Sequence, residues 1–550
     1  MTTPKVFAWL LATAGWLWSG VALAGATAEP AASQASADRS AVAEKVDSLL
    51  AQELYLKNPK SALAPLVSDE VFLRRAALDV IGIRPSQAQM ALFLLDPSAD
   101  RRQKLVDRLL ADPRFGRNWG RYWRDVVMYR RVEDRALISA AALTTFLTDA
   151  LNDGQGWDQI AETMIEAKGN VMESGPTGLI MAQTANADDV AAEVSRIFLG
   201  IQIQCAQCHD HPTDRWKREQ FHQFAAFFPR MQLRPIQYQG MMRGFEVASV
   251  QFEPRFRGPM PGRGSLEHYM PDLKNPSAKG QLMTPVFFAT GRKLPTGSSD
   301  DERRTSIAEW ITAREDGWFA KAFVNRVWAE LVGEGFYEPV DDMGPGKACS
   351  APATLAYLAE QFAARSYDVK WLYRTIMATK LYARESRPRR TANEMPFAAN
   401  CAQRLRGDQL FDMLTLSLGV EVPGYFGGGP YAAISSPRAQ FNTVFGYDPS
   451  QRRDEVSGSI SQVLSMMNSR LVSRGLDGHS TDTTLGRLLV QFKDDDTLIA
   501  ELFSRCLARD PNGQELTVCR EHVKHAGSRA EGFEDVLWGL VNRTEFIYRN

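Results

Sequence analysis

The sequence predicts a mainly α, multi-helical protein, with two helical domains and a proline-rich segment of loops and short strands between them. Three observations lead there. Apolar residues recur at helical spacing through much of residues 40–230 and again through 301–550, lining one face of each helix. Nine of the 28 prolines fall within residues 229–300, where they forbid long helices. The chain of 550 residues also exceeds what one ordinary hydrophobic core organises.

The elements follow in order. Lys5 precedes the uncharged run VFAWLLATAGWLWSGVALAGATA, which ends in small residues. That is the form of a secretory signal over residues 1–28, although a run of this length also suits an uncleaved anchor. An Ala/Ser-rich leader follows over 29–39. The N-terminal helical domain spans 40–230. In SDEVFLRRAALDVIG, residues Leu73, Ala76, Ala77 and Val80 share a face, Ser68 is the expected cap and Gly82 the stop. Ser86 and Gln89 have the spacing of a capping box. DRRQKLVDRLLADP ends at Pro113, and Trp119, Tyr122 and Trp123 supply bulky core side chains. The segment 231–300 carries strand-like stretches such as FEVASVQFEP. The C-terminal helical domain, 301–550, contains DERRTSIAEWITARE, WFAKAFVNRVWAELVG, APATLAYLAEQFAAR and DVKWLYRTIMATKLYA.

A formal charge of −1 argues against nucleic acid as the partner. The usual signatures of serine hydrolases, zincins and dinucleotide-binding folds are missing. Export, to the periplasm or cell envelope, changes how the six cysteines are read, because thiols tend to pair in an oxidising compartment. Cys506 and Cys519 flank the turn signal DPNG, so a disulfide is expected to close that helical hairpin. Cys349 and Cys401 form a second pair by elimination.

Cys205 and Cys208 belong to QCAQCHDHPTDRW, residues 204–216. The preceding stretch places Val190, Val194, Ile197, Ile201, Cys205 and Cys208 at helical spacing, which predicts one continuous helix with both cysteines facing inward and His209 beside them. A second helix is expected from about Asp214, carrying Trp216, Phe221, Phe224, Phe227 and Phe228. Three chemistries suit the motif. In the first, Cys205 and Cys208 form thioethers to a haem c and His209 ligates the iron, with Met260 or Met270 as the distal ligand. In the second, Cys205, Cys208, His209, His211 and His222 hold zinc or another transition metal. In the third, the two cysteines are structural in a binding or scaffold protein. Three of the seven histidines lie between 209 and 222, which favours a ligand. Asp341 and Asp342 in EPVDDMG are read as salt-bridge or capping residues.

The stretch FLGIQIQCAQCHDHPTDRWKREQFHQFAAFF closely resembles the motif of a planctomycete cytochrome C-type secreted family, which pairs two domains of unknown function. The resemblance extends to FLRRAALDVIGIRPS, KLVDRLLADPRFGRNWGRYWRDV, FAKAFVNRVWAELVGEGFYEPVDDM and the C-terminal LFSRCLARDPNGQEL, nearly the whole mature chain. It implies an exported protein of redox character, acting with a redox partner or small-molecule substrate, without a settled reaction. Residue by residue the motif falls on Cys205, Cys208, His209, Asp210, His211, Pro212, Asp214 and Trp216. Thr213 stands where many relatives have an aromatic.

Overall fold

Helices start and stop where local chemistry directs. Ser68 caps the helix Asp69–Ile81 by accepting from the Val71 amide, and Gly82 ends it in the left-handed region at φ 76°. The Ser86–Gln89 capping box forms on both sides of the helix Gln87–Leu94. Arg101–Ala111 and the helices Asp300–Thr312, Trp318–Val332, Pro352–Ala364 and Val369–Ala378 lie over the stretches expected to be helical, and Trp119, Tyr122 and Trp123 lie on a further helix, Arg114–Met128. The computed structural model describes residues 40–239, 241–252, 264–315, 317–388, 394–421, 435–452 and 455–549. The expected signal segment and leader lie outside these residues. Among the described residues the protein is mainly α, with a few short strands.

The two longest strands sit in the proline-rich region. Met231–Tyr238 and Met241–Ser249 form an antiparallel hairpin in register Met231↔Ser249, with a shift between Ile236 and Gln237. Gly169–Asn170 adds a third strand alongside Met241–Ser249. Further on, Tyr269–Met270 pairs with Gln281–Leu282.

Buried side chains divide near residue 400, not near 300. One cluster runs from Val42 to Phe397 and joins helices from both sides of the strand region. Aromatic stacking explains the continuity. Trp123 stacks on Phe323 at 5.3 Å, and Phe323 on Phe362 at 5.1 Å, so large flat surfaces from either side bury each other. A second cluster, Leu405 to Phe546, takes in only Leu78 from the N-terminal part. The buried Arg84 guanidinium bridges the two by donating to the carbonyls of Cys506 (2.8 Å) and Phe546 (3.3 Å). At the opposite end of the sequence, Arg549 donates to buried Asp79 at 2.9 Å.

Asp341 is fully buried and accepts from Arg196 Nη1 at 2.9 Å, Arg326 Nη2 at 3.4 Å, Gln202 Nε2 at 3.0 Å and the Ser450 hydroxyl. Arg196 also donates to both Glu193 oxygens and, at 2.7 Å, to the Val126 carbonyl. The paired carboxylates thus serve salt bridges: Asp342 holds Lys347 at 2.7 Å. Burial acts to raise the Asp341 pKa, but Arg196, Arg326 and Arg130 outweigh it and hold the group well below the usual carboxylate range. Its contribution is therefore fully present above the unfolded value of about 4 and lost as pH falls through the lower folded value. Asp341→Ala, which takes the carboxylate away from the buried Arg326 guanidinium and leaves Arg196 with the Glu193 carboxylate alone, is expected to cost about 3–5 kcal/mol in urea unfolding at neutral pH. The difference from wild type should shrink as pH falls below about 4. A loss under 1 kcal/mol at neutral pH would show that the network is not stabilising.

Candidate functional site

The expected continuous helix into the motif is not formed. Ala187–Val194 is α-helical, Ser195–Leu199 forms a wider π turn, and Gly200 then takes φ 68°. The reason lies at Gly200. A Cβ there would sit 2.6 Å from Met343 Sδ, and the Gly200 carbonyl accepts from the Met343 amide at 2.7 Å. Chain reversal at a left-handed glycine resets the helical phase. Val190, Val194, Ile197 and Ile201 are buried as their spacing implies, but Cys205 and Cys208 are exposed on and just after the short 3-10 turn Ile203–Ala206. His209 is exposed too. The motif faces outward, contrary to the expectation from periodicity.

The following residues form a loop, and the second helix starts later than expected, at Arg218–Ala225. Trp216 precedes it, while Phe227 and Phe228 follow it. All the expected aromatics are buried, with Trp216 and Phe224 packed on Phe288, so they build the core beneath the motif. The Asp–His–Pro extension fixes the loop. Asp210 accepts from Lys217 Nζ at 2.9 Å and the Arg218 amide at 3.1 Å. His211 is buried, and its Nδ1 accepts from the Thr213 amide at 3.2 Å. Burial and nearby Lys347 push its pKa below the ordinary histidine value. Lys347 donates to Thr213 Oγ1 at 2.9 Å, and the Gly346 amide to Asp214 Oδ1 at 3.3 Å. The loop is thereby docked onto the stretch that follows Asp341.

His209 Nδ1 lies 2.7 Å from the Asp210 carbonyl. A carbonyl only accepts, so Nδ1 is the donor in this contact.

His222 is turned the other way. It is buried, its Nε2 lies 3.1 Å from the Gln207 carbonyl, and its Nδ1 lies 2.9 Å from His268 Nε2. Asp188 Oδ1 stands 3.5 Å from His268 Nε2. The first turn of its helix, capped by the Asn186 side chain, positions Asp188. His268 is fixed beside the strand Tyr269–Met270, where its carbonyl accepts from Met283 at 3.0 Å. Burial lowers the pKa of both imidazoles, that of His268 to about 4, and raises that of Asp188. The five-residue ligand set Cys205, Cys208, His209, His211 and His222 is therefore not assembled. Among the described residues, Asp188, His222 and His268 converge, as do the largely exposed Asp477, His479 and Glu534. Asp188 and His268 escaped the sequence reading, because no fixed spacing connects either to His222.

Met260 lies outside the described residues. Met270 is partly exposed, on the strand next to Pro271, whose carbonyl accepts from Arg218 Nη2 at 2.6 Å. Arg218 Nε also donates to the Gln207 carbonyl at 3.2 Å, which ties that strand to the motif. Cys506 and Cys519 are both free thiols, so the expected disulfide is not formed. Cys506 is turned into the second core, where burial pushes its thiol up to about 12, while Cys519 lies at that core's edge. Cys349 and Cys401 are likewise not joined by a disulfide.

Residues 45–233 match PSCyt2, described as a protein of unknown function (DUF1549), and residues 303–438 match PSD1, likewise described (DUF1553). The chain belongs to the family that pairs these two domains. The DUF1549 part contains the whole motif together with Asp188 and His222, whereas His268 falls between the two matches. The DUF1553 part supplies Asp341, Met343 and Lys347, which seat the loop. No curated protein and no solved structure matches the chain. No helix among the described residues is long and apolar enough to cross a membrane. In protein made without haem-attachment machinery, a thiol alkylating reagent should label Cys205 and Cys208 in the native fold while sparing Cys506 and Cys401. Peptide mass spectrometry checks this, and equal labelling of all four would contradict the outward placement of the motif.

Proposed function

We propose that this protein is an exported redox protein that carries one haem c on Cys205 and Cys208, with His209 as the axial ligand, and exchanges electrons with a partner at its surface. The observation that carries the reading is the 2.7 Å contact between His209 Nδ1 and the Asp210 carbonyl. The ring's Nδ1–H donates to that carbonyl, as metal-ligating imidazoles usually donate their second nitrogen to an acceptor, leaving Nε2 free for iron and more basic. The donor set fits the group as well: two free, exposed thiols are separated by two residues, and the second immediately precedes that imidazole. The cytochrome label in the PSCyt2 name agrees with it.

Haem would supply a one-electron couple at this position. The chain's own residues do the rest. Cys205 and Cys208 would form the thioether bonds that hold the haem. Asp210, clamped by Lys217 and the Arg218 amide, keeps its carbonyl aligned with His209 Nδ1. Arg218 holds the Met270 strand against the motif through Gln207 and Pro271, which makes Met270 the distal ligand to test. Because the motif faces outward, a group held there would be within reach of an electron partner.

Expression with c-type haem maturation machinery should yield a red protein whose mass exceeds that of the processed chain by one haem, retained through acid–acetone extraction. Cys205→Ser with Cys208→Ser should abolish the added mass. Met270→Ala should remove the low-spin absorption pattern of a six-coordinate iron without releasing the haem. A folded, colourless protein from such a host rules the reading out.

A further inference from the structure

Asp188, His222 and His268 offer one ligand atom each, all within 4.8 Å of one another. Ligands about 2.1 Å from a transition metal stand about 3.0 Å apart in adjacent octahedral positions and about 3.4 Å apart in a tetrahedron. The measured separations, 2.9 Å between His222 Nδ1 and His268 Nε2 and 3.5 Å between His268 Nε2 and Asp188 Oδ1, bracket those values. The lone pairs also point the right way. His222 Nε2 must donate to the Gln207 carbonyl, so its Nδ1 is an acceptor aimed at the other two groups.

Without an ion, a single proton on His268 Nε2 satisfies His222 but not the carboxylate. Asp188 Oδ1 is inaccessible to solvent and has no hydrogen-bond partner. A buried oxygen left in that state is destabilising, and a cation accounts for it. The surroundings have the form of a supporting shell. Gln207 Nε2 donates to the other Asp188 oxygen at 3.2 Å, and the Gln207 carbonyl takes the His222 proton, so one residue orients two ligands.

We propose that Asp188 Oδ1, His222 Nδ1 and His268 Nε2 form a binding site for a divalent first-row transition metal, of the zinc or iron(II) class, with its remaining positions open. Two imidazoles and one carboxylate on one side of an ion select such metals over magnesium or calcium, which take oxygen ligands. The site is separate from the haem proposal, since neither Cys205, Cys208 nor His209 contributes a ligand. Gln207 lies between the two cysteines, so an ion held here would also brace the turn that presents them.

Equilibrium dialysis of the untagged chain, made without haem machinery, against Zn²⁺ and Co²⁺ tests the site. One ion per chain is expected, with visible absorption for Co²⁺. Asp188→Asn and His268→Gln should each weaken binding at least 100-fold, and Gln207→Ala about 10-fold. Cys205→Ser with Cys208→Ser, and His479→Ala at the exposed second cluster, should leave it unchanged. Circular dichroism identifies variants that remain folded, and Asp188→Asn, a near-isosteric change at a partly exposed residue, decides the matter if His268→Gln does not fold. Failure to bind one ion per chain, unchanged binding in folded Asp188→Asn, or loss of binding in His479→Ala overturns the proposal. Loss on removing the two cysteines would instead place the ion at the motif.

Discussion

A carboxylate with no contact with water holds the two matched parts of this chain together. Asp341 accepts from Arg196, Arg326, Gln202 and Ser450, groups separated by up to 254 residues (Arg196 to Ser450). A buried charge is tolerated only when its partners are placed correctly, so each of these elements is constrained by the others. Arg196 lies in the π turn just before the motif, and Gln202 just after Gly200. The position of the cysteines on the DUF1549 side is thus dictated by an acid on the DUF1553 side.

The same dependence recurs around the loop. Met343 closes on Gly200, Lys347 on Thr213, and Gly346 on Asp214. A Cβ at Gly344 would lie 1.8 Å from Asp214 Oδ2, so the absence of a side chain there permits the close approach. The Asp–His–Pro extension, which haem attachment does not require, shapes the loop that makes this joint. Its histidine uses Nδ1 to hold the Thr213 amide, and its aspartate holds Lys217 and Arg218.

Two sets of donors flank one residue. On the outer side of the turn are Cys205, Cys208 and His209. On the inner side are Asp188, His222 and His268, joined to the turn through Gln207. The proposed redox chemistry at the surface and the proposed metal below it would be compatible uses of such an arrangement, and an ion there would stiffen the turn that presents the cysteines.

Sequence alone determined what depends on neighbouring residues. Helix spans, the caps at Ser68 and Ser86, the stop at Gly82, the buried stripe Val190–Val194–Ile197–Ile201 and the strand region were legible, because capping, periodicity and proline placement act over a few residues. The motif ending at His209 was legible as a residue pattern but not in its orientation. Tertiary structure decided the rest. Gly200 breaks the helix because Met343, 143 residues away, needs the space, and that break turns both cysteines outward. It decided that Cys506 points into a core while Cys519 sits at its edge, so hairpin proximity did not become a disulfide. It also brought His268 to His222 across 46 residues and Asp188 to both. Those contacts arise from packing between distant elements, and no local spacing in the chain encodes them.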